Sequence, residues 1–268
     1  MTKISVPVSV VIPIHGHIDV LERAIESVLM QTWQPDELIL VVDGVRPSEQ
    51  ALIKEFIEKY DDKWILVLYL SDNRGAGYAR NIGWNQAKNN LIAFLDADDA
   101  WHPRKIEIQY QIMINNPDIK ISGHEHCVEK GLPNWQSYKI TENFHLIKLF
   151  QSLLRNPFIT PSVMICKSIS QRFNSMQRYS EDYRLWLEMI DSGHPCIKIE
   201  AQLACIFKPS ISKVGLSSHL LAMEKGELAA YWSISKKKDF KMLWYFVLTV
   251  YSLLKFIRRF FLHKIITN

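Results

Sequence analysis

The sequence predicts an α/β fold, with a mostly parallel sheet in its first hundred residues, a mixed α+β second half and C-terminal helices. Three observations predict it. Short apolar, β-branched runs recur at Val6–Ile14, Leu38–Val42, Trp64–Leu70 and Leu91–Leu95; such runs suit strands buried on both faces. Segments of helical period lie between them, which calls for parallel strands joined by right-handed crossovers. After residue 100 this rhythm is lost.

Each element has its own reason. Helix Asp19–Gln31 is expected because Val20, Leu21, Ala24, Ile25, Val28 and Leu29 fall at helical spacing, with Asp19 as N-cap. Ser48–Tyr60 and Gly77–Ala87 read as the second and third helices. In the second half, Pro103–Asn115 reads as a helix packing Ile106, Tyr110, Ile112 and Met113. Ile119–Val128 reads as a strand, Glu142–Leu154 as a helix and Ser162–Cys166 as a short strand. Glu181–Ser192 reads as a helix with Leu185, Trp186, Met189 and Ile190 as its buried stripe, and Ile197–Phe207 as a strand.

Sheets of this kind bind ligands beyond the carboxyl ends of their strands. Those ends carry His15, Asp43, the Asp72-Asn73-Arg74 segment and the cluster Asp96-Ala97-Asp98-Asp99. All four sets are expected on one crevice. Adjacent carboxylates repel and need a cation or hydrogen-bond donors. Hard oxygen ligands suit Mg²⁺ or Mn²⁺, and magnesium takes one or two protein carboxylates alongside substrate phosphates. The cluster reads either as a metal–diphosphate site or as an acidic turn in which Asp99 caps the next helix. Arg74 and Arg80 fall near the same edge, and Arg suits phosphate. The segment Gly75-Ala-Gly77-Tyr-Ala-Arg80 is no dinucleotide fingerprint, because Arg80 stands in the third glycine position and the first βα turn lies elsewhere.

These segments together resemble family 2 glycosyltransferases of the GT-A fold. The resemblance rests on Val10-Val-Ile-Pro-Ile-His15, Glu22–Thr32, Glu37–Gly44, Asn73–Asn81, Ile92–Trp101 and Ser180–Trp186. It implies a Rossmann-like nucleotide-sugar-binding half over 6–100 and an acceptor-binding, catalytic half over 101–215. It also implies transfer of a sugar, with inversion, from a nucleotide-diphosphate sugar (a UDP-sugar first) to an acceptor hydroxyl. By motif, Pro13, His15, Asp43, Arg74, Arg80 and Asp96 are expected to bind the donor. Asp98, with Asp99 second, is expected to hold a divalent Mn²⁺ or Mg²⁺. Asp182, with Glu181 second, is the expected general base. Ser180 before them also reads as the N-cap of a helix that would favour acids with no chemistry. His15-Gly16 and Val45-Arg46 depart from the family pattern at the donor loop. The competing readings are a nucleotidyltransferase and a non-catalytic sugar-nucleotide-binding module.

His124 and His126 share a strand face without evident further zinc ligands, so packed histidines are expected. His219 is a candidate late metal ligand or a plain helix residue, and Lys208–Ser217 is a candidate lid. The four cysteines, Cys127, Cys166, Cys196 and Cys205, show no Cys-x-x-Cys spacing. With no signal peptide read at the N-terminus, four reduced thiols in a cytoplasmic protein are expected.

The charge is unevenly spread. The 268 residues carry a net +4, but eight Lys or Arg against one acid between 236 and 268 give +7 and leave −3 on the remainder. In that tail, Met242–Leu254 is uncharged and aromatics interleave with Lys255, Arg258 and Arg259. The 216–268 segment is therefore expected to lie on an anionic membrane surface, peripheral on the inner face, or to pack on the domain. Such placement fits cell-surface polysaccharide or lipopolysaccharide synthesis on a glycan or lipid-linked acceptor. Nothing else supports nucleic acid.

Overall fold

The computed structural model describes residues 4–16, 18–60, 64–129, 131, 133–207, 220–235 and 242–267. The first half alternates strand and helix: β1 (Ile4–Ile14), α1 (Ile18–Leu29), β2 (Trp33–Asp43), α2 (Pro47–Ile57), β3 (Ile65–Leu70), α3 (Ala76–Gln86) and β4 (Leu91–Phe94). The strands run parallel in the order β3-β2-β1-β4. Val10, Ile12, Leu38, Leu40 and Val42 face one core, while Val11, Ile39 and Val41 face the other. Both cores exclude water, so the period-2 alternation of strands leaves no polar face and the runs read as continuous hydrophobics.

The second half holds β5 (Ala100–Trp101), α4 (Lys105–Asn115), β6 (Ile121–Val128), β7 (Phe144–Leu146), α5 (Leu149–Leu154), β8 (Met164–Cys166), α6 (Glu181–Asp191) and β9 (Cys196–Ile206). β8 runs antiparallel to β4 and β6, and β9 runs parallel to β6 and antiparallel to β5 and β7. One sheet therefore spans both halves. Phe94 and Trp84 of the first half meet Phe173 of the second edge to face, with ring centroids 5.4 and 6.5 Å apart, and Phe173 packs in turn on Trp186. Such ring contacts add about 0.5–1.5 kcal/mol each beyond area burial.

Three expectations change. The helix expected over 142–154 divides, because Phe144–Leu146 pairs with Ile197–Ile199 of β9 before α5 begins. The two-residue β5 was not expected; it is fixed by its ladder to Ala204 and Cys205. The four thiols are not all free. The β6–β9 register sets Cys127 opposite Cys205 with Cα atoms 4.6 Å apart, and they form a disulfide, leaving Cys166 and Cys196 as thiols. A separation of 78 residues hides that partnership from spacing arguments.

Two helices complete the chain, α7 (Leu220–Ser235) and α8 (Met242–Thr267). Ala230, Tyr231 and Ile234 of α7 and Leu248 of α8 form a third core with Leu153, Tyr183 and Leu187. Lys255 of α8 pairs with Glu227, and Arg259 lies 2.9 Å from Glu224. These two basic residues thus turn toward α7, and the apolar residues Leu243, Phe246, Val250, Leu254 and Ile257 are exposed. Among the described residues, no helix is long and apolar enough to cross a membrane.

Candidate active site

The carboxyl ends of β1, β2 and β4 converge as the parallel register requires. Asp43 ends β2, and its buried carboxylate accepts the backbone N–H groups of Arg74 (2.9 Å) and Gly75 (2.7 Å). Gly44 makes this possible. Its φ is +60°, and a Cβ there would fall 2.0 Å from the Asn73 nitrogen. Only glycine combines that backbone with so close an approach. His15 completes the loop. Asn73 Nδ2 donates to its Nε2 at 2.7 Å, so the proton sits on Nδ1, which donates to the Asp43 carbonyl at 2.8 Å. Pro13 lies half-buried on β1 beside Val41. Asp43 thus shapes the 73–75 loop through backbone amides, and His15 is locked to it. Arg74 is exposed, with its guanidinium 3.8 Å from the centroid of the Tyr78 ring.

A second group joins the two halves. Arg80 on α3 is buried, and its guanidinium reaches Asp96 Oδ1 at 2.5 Å and Glu181 Oε1 at 3.2 Å. Burial opposes its charge, but Asp96 and Glu181 outweigh that and hold Arg80 above its ordinary value. Asp96 follows β4 and Glu181 opens α6, so one guanidinium ties the end of β4 to the acid pair. Removing such a buried partner strands the opposing charges and is strongly destabilising.

The acid pair is not held as an ordinary helix start. Ser180 has φ +54°, in the left-handed region, and makes no capping bond; its hydroxyl donates to the Met223 carbonyl at 3.3 Å instead. The N-cap expectation for Ser180 is therefore corrected, because the left-handed turn aims its side chain at α7. Gly226 of α7 lets the corner approach, since a Cβ there would lie 2.2 Å from the Tyr179 carbonyl oxygen. Burial first, then the charge of Asp182, pushes Glu181 up to about 7, with Arg80 pulling the other way. Burial likewise raises Asp182, whose Oδ2 lies 3.5 Å from the Thr160 hydroxyl. Glu181 is almost closed from solvent, whereas Asp182 stays half-buried.

The turn Asp96–Asp99 carries the remaining acids. Asp99 faces inward and accepts the Phe207 amide; burial, Asp96 and Asp98 raise it well above the usual carboxylate range. Arg23 of α1 donates to the Asp98 carbonyl and stacks 3.5 Å over the Phe207 ring. Asp98 itself is half-buried. Among the described residues no three His, Cys, Asp or Glu form a closed metal cage. A half-open Asp98 beside a concentration of negative charge fits a hard divalent ion that completes its shell with waters and phosphates.

Asn73 falls on the expected crevice, but its bond to His15 does not follow from the sequence. Arg23, Thr160 and Arg178 are not among the expected site residues, and Thr160 and Arg178 sit in a short turn and a loop that carry no periodic signal. His124 is buried in β6, and burial, then Lys105, holds it well below its ordinary value. Register shifts on either side of Glu125 interrupt the face that His124 and His126 were expected to share. His219 and Lys208–Ser217 lie outside the described residues.

A mostly parallel sheet with carboxylates at its strand ends, continuous with a mixed α/β second half, has the architecture of the GT-A fold. The family model for glycosyl transferase family 2 matches residues 9–179, and the chain belongs to that family. It is 26% identical over 246 residues to an uncharacterized glycosyltransferase of Haemophilus influenzae, covering 91% of this chain and 95% of that one. It is 26% identical over 250 residues to a putative teichuronic acid biosynthesis glycosyltransferase, TuaG, of Bacillus subtilis, covering 92% and 96%. A crystal structure of S. aureus TarS in complex with UDP-GlcNAc superposes with a TM-score of 0.67 at 13% identity, covering 92% of this chain and 72% of that one, and shares the fold. Family membership decides for glycosyl transfer over nucleotidyl transfer or a binding module without activity.

Proposed function

We propose that this enzyme transfers a sugar from a UDP-sugar to an acceptor hydroxyl with inversion, in the synthesis of a cell-surface polysaccharide or lipopolysaccharide. The observation that carries the reading is the Asp96–Arg80–Glu181 chain, which makes the donor crevice and the acid pair one site. The donor lies over the loop braced by Asp43, with His15 and Pro13 bordering the base and exposed Arg74 available to its phosphates. Asp98, backed by Asp99, would hold Mg²⁺ or Mn²⁺; when bound, that ion neutralises the leaving diphosphate as a Lewis acid. Asp182 takes the acceptor hydroxyl proton as the sugar is attacked from the face opposite the diphosphate. It is preferred over Glu181 because it remains accessible and is not engaged by Arg80. The likeness to TarS with UDP-GlcNAc and to TuaG supports the donor class and the polymer setting.

The same reading puts the protein on the inner face of the cytoplasmic membrane through the apolar face of α8. Leu243, Phe246, Val250, Leu254 and Ile257 recur at helical spacing and are exposed, beside the exposed Arg258. This attachment depends more on buried apolar area than on charge. The direct test incubates the full chain with a panel of nucleotide sugars, Mn²⁺ and candidate acceptors, and reads products and anomeric configuration by mass spectrometry and NMR. Inverted product with a UDP-sugar is expected; retention, or no turnover with any donor, overturns the reading.

A further inference from the structure

A groove of about 400 Å³ opens between residues 174–179 and α7. Three of its lining residues are cationic, Arg178, Arg184 and Lys225, joined by the amides Asn174 and Gln177, and among the described residues no carboxylate lines it. Its size suits a small ligand. Arg178 donates to the Asn73 carbonyl at 3.0 Å and to the Asn73 side-chain oxygen at 2.6 Å, both neutral acceptors that leave its charge uncompensated. Among the described residues Lys225 makes no ion pair. Arg184 shares its charge with Glu188 at 2.7 Å, so the groove keeps an excess of positive charge. A concave site with guanidinium forks and no acid suits an anion, and phosphate best.

The location says whose anion it is. Arg178 is linked through Asn73 to His15 and so borders the donor loop. On the other side the groove is lined by Tyr179, against which Gly226 brings α7, and by Arg184 of α6, the helix that Glu181 and Asp182 open. The donor diphosphate already has Arg74, and Arg184 of this second cationic site stands on the same helix as the acid pair, so the groove lies on the acceptor side. We infer that the groove binds a phosphoryl group carried by the acceptor, so that the acceptor is a phosphate-bearing molecule and not a neutral glycan. The inference rests on reading Glu181–Asp182 as the acceptor acids. The phosphate can belong to a lipid carrier or to a phosphate along a polyol chain; both offer the same group to the groove.

The test uses the full chain saturated with UDP, so that the donor site is filled. Farnesyl phosphate, glycerol 3-phosphate and the neutral alcohol farnesol are titrated by calorimetry. Both phosphates are expected to bind and farnesol is not, and K225Q and R184Q are each expected to weaken phosphate binding about tenfold, the loss of one charge-assisted contact. UDP affinity, measured on both variants, reports that they are folded. Tighter farnesyl phosphate supports a lipid carrier, and equal affinity supports a polyol phosphate. Farnesol binding as well as farnesyl phosphate, no phosphate binding at all, or phosphate binding unmoved in both variants overturns the inference. A chain that transfers sugar equally well to neutral and phosphorylated acceptors sinks this inference alone, whereas a chain that transfers no sugar sinks the reading beneath it.

Discussion

The half proposed to bind the donor and the half proposed to bind the acceptor hold their acids by different means. Asp43 and Asp96 stand at the ends of strands whose register is fixed by two buried faces. Glu181 and Asp182 follow a left-handed serine pressed against a glycine of α7, at a corner that no strand register fixes. Regular secondary structure places the first pair, and tertiary packing places the second. The acceptor acids are therefore the more vulnerable to changes far from them, and the donor acids to changes within their own turn.

The largest expected effect tests the acid pair. Asp182→Asn keeps the shape and removes the base, so kcat should fall about 10²- to 10⁴-fold. Steady-state kinetics with the preferred donor measures this, and Glu181→Gln should lower kcat less. Equal losses in the two variants would move the base to Glu181 or to the pair.

Gly44→Ala attacks the donor half in its own turn. The added Cβ would overlap the Asn73 backbone, and φ +60° suits no β-carbon. The loop must then move off Asp43, leaving its carboxylate without two amide donors, a loss of about 1–3 kcal/mol. UDP affinity should weaken at least about tenfold, as read by calorimetry, with a lower Tm. An unchanged UDP affinity would separate this turn from the donor.

The pH response separates the halves further. Glu181 is raised from its ordinary 4.5 to about 7, by burial first and then Asp182. Between those values the folded state binds a proton that the unfolded state has lost. Stability from this group therefore falls as pH rises from about 4.5 to about 7 and is level above that. Urea unfolding across that range should show the slope, and Glu181→Gln should flatten it. A slope unaltered in that variant would assign the response elsewhere.

Much of the donor half is legible in the sequence because doubly buried parallel strands carry an unmistakable apolar signal. The position of Asp43, Asp96 and Asp98 at strand ends follows directly from that signal. What Asp43 does there does not follow, since its acceptance of the Arg74 and Gly75 amides depends on how closely Gly44 brings two loops. The acceptor half is less legible. Phe144–Leu146 belongs to a helix-like pattern yet pairs with β9, because an open strand edge outranks local period. Cys127 and Cys205 meet only through the β6–β9 register. The basic tail reads as a charged face, but Glu224 and Glu227 of α7 draw Lys255 and Arg259 inward, a partnership across about thirty residues that no helical wheel reports.

Ser180 gives the finest test of the comparison, with the smallest expected effect. A non-glycine residue in the left-handed region costs about 1 kcal/mol. Glycine relieves that cost but gains freedom in the unfolded chain, about 0.5–1 kcal/mol in the other direction. Ser180→Gly should therefore leave Tm nearly unchanged, while losing the hydroxyl contact to Met223 that steadies the corner. Threonine separates this corner from an ordinary helix cap. An N-cap accepts threonine nearly as well as serine, whereas a β-branched residue is an outlier at positive φ. Ser180→Thr should thus lower stability by about 1 kcal/mol or more in urea unfolding. A threonine variant as stable as the parent would mean that the acids begin a conventional helix, and that α7 does not set their position.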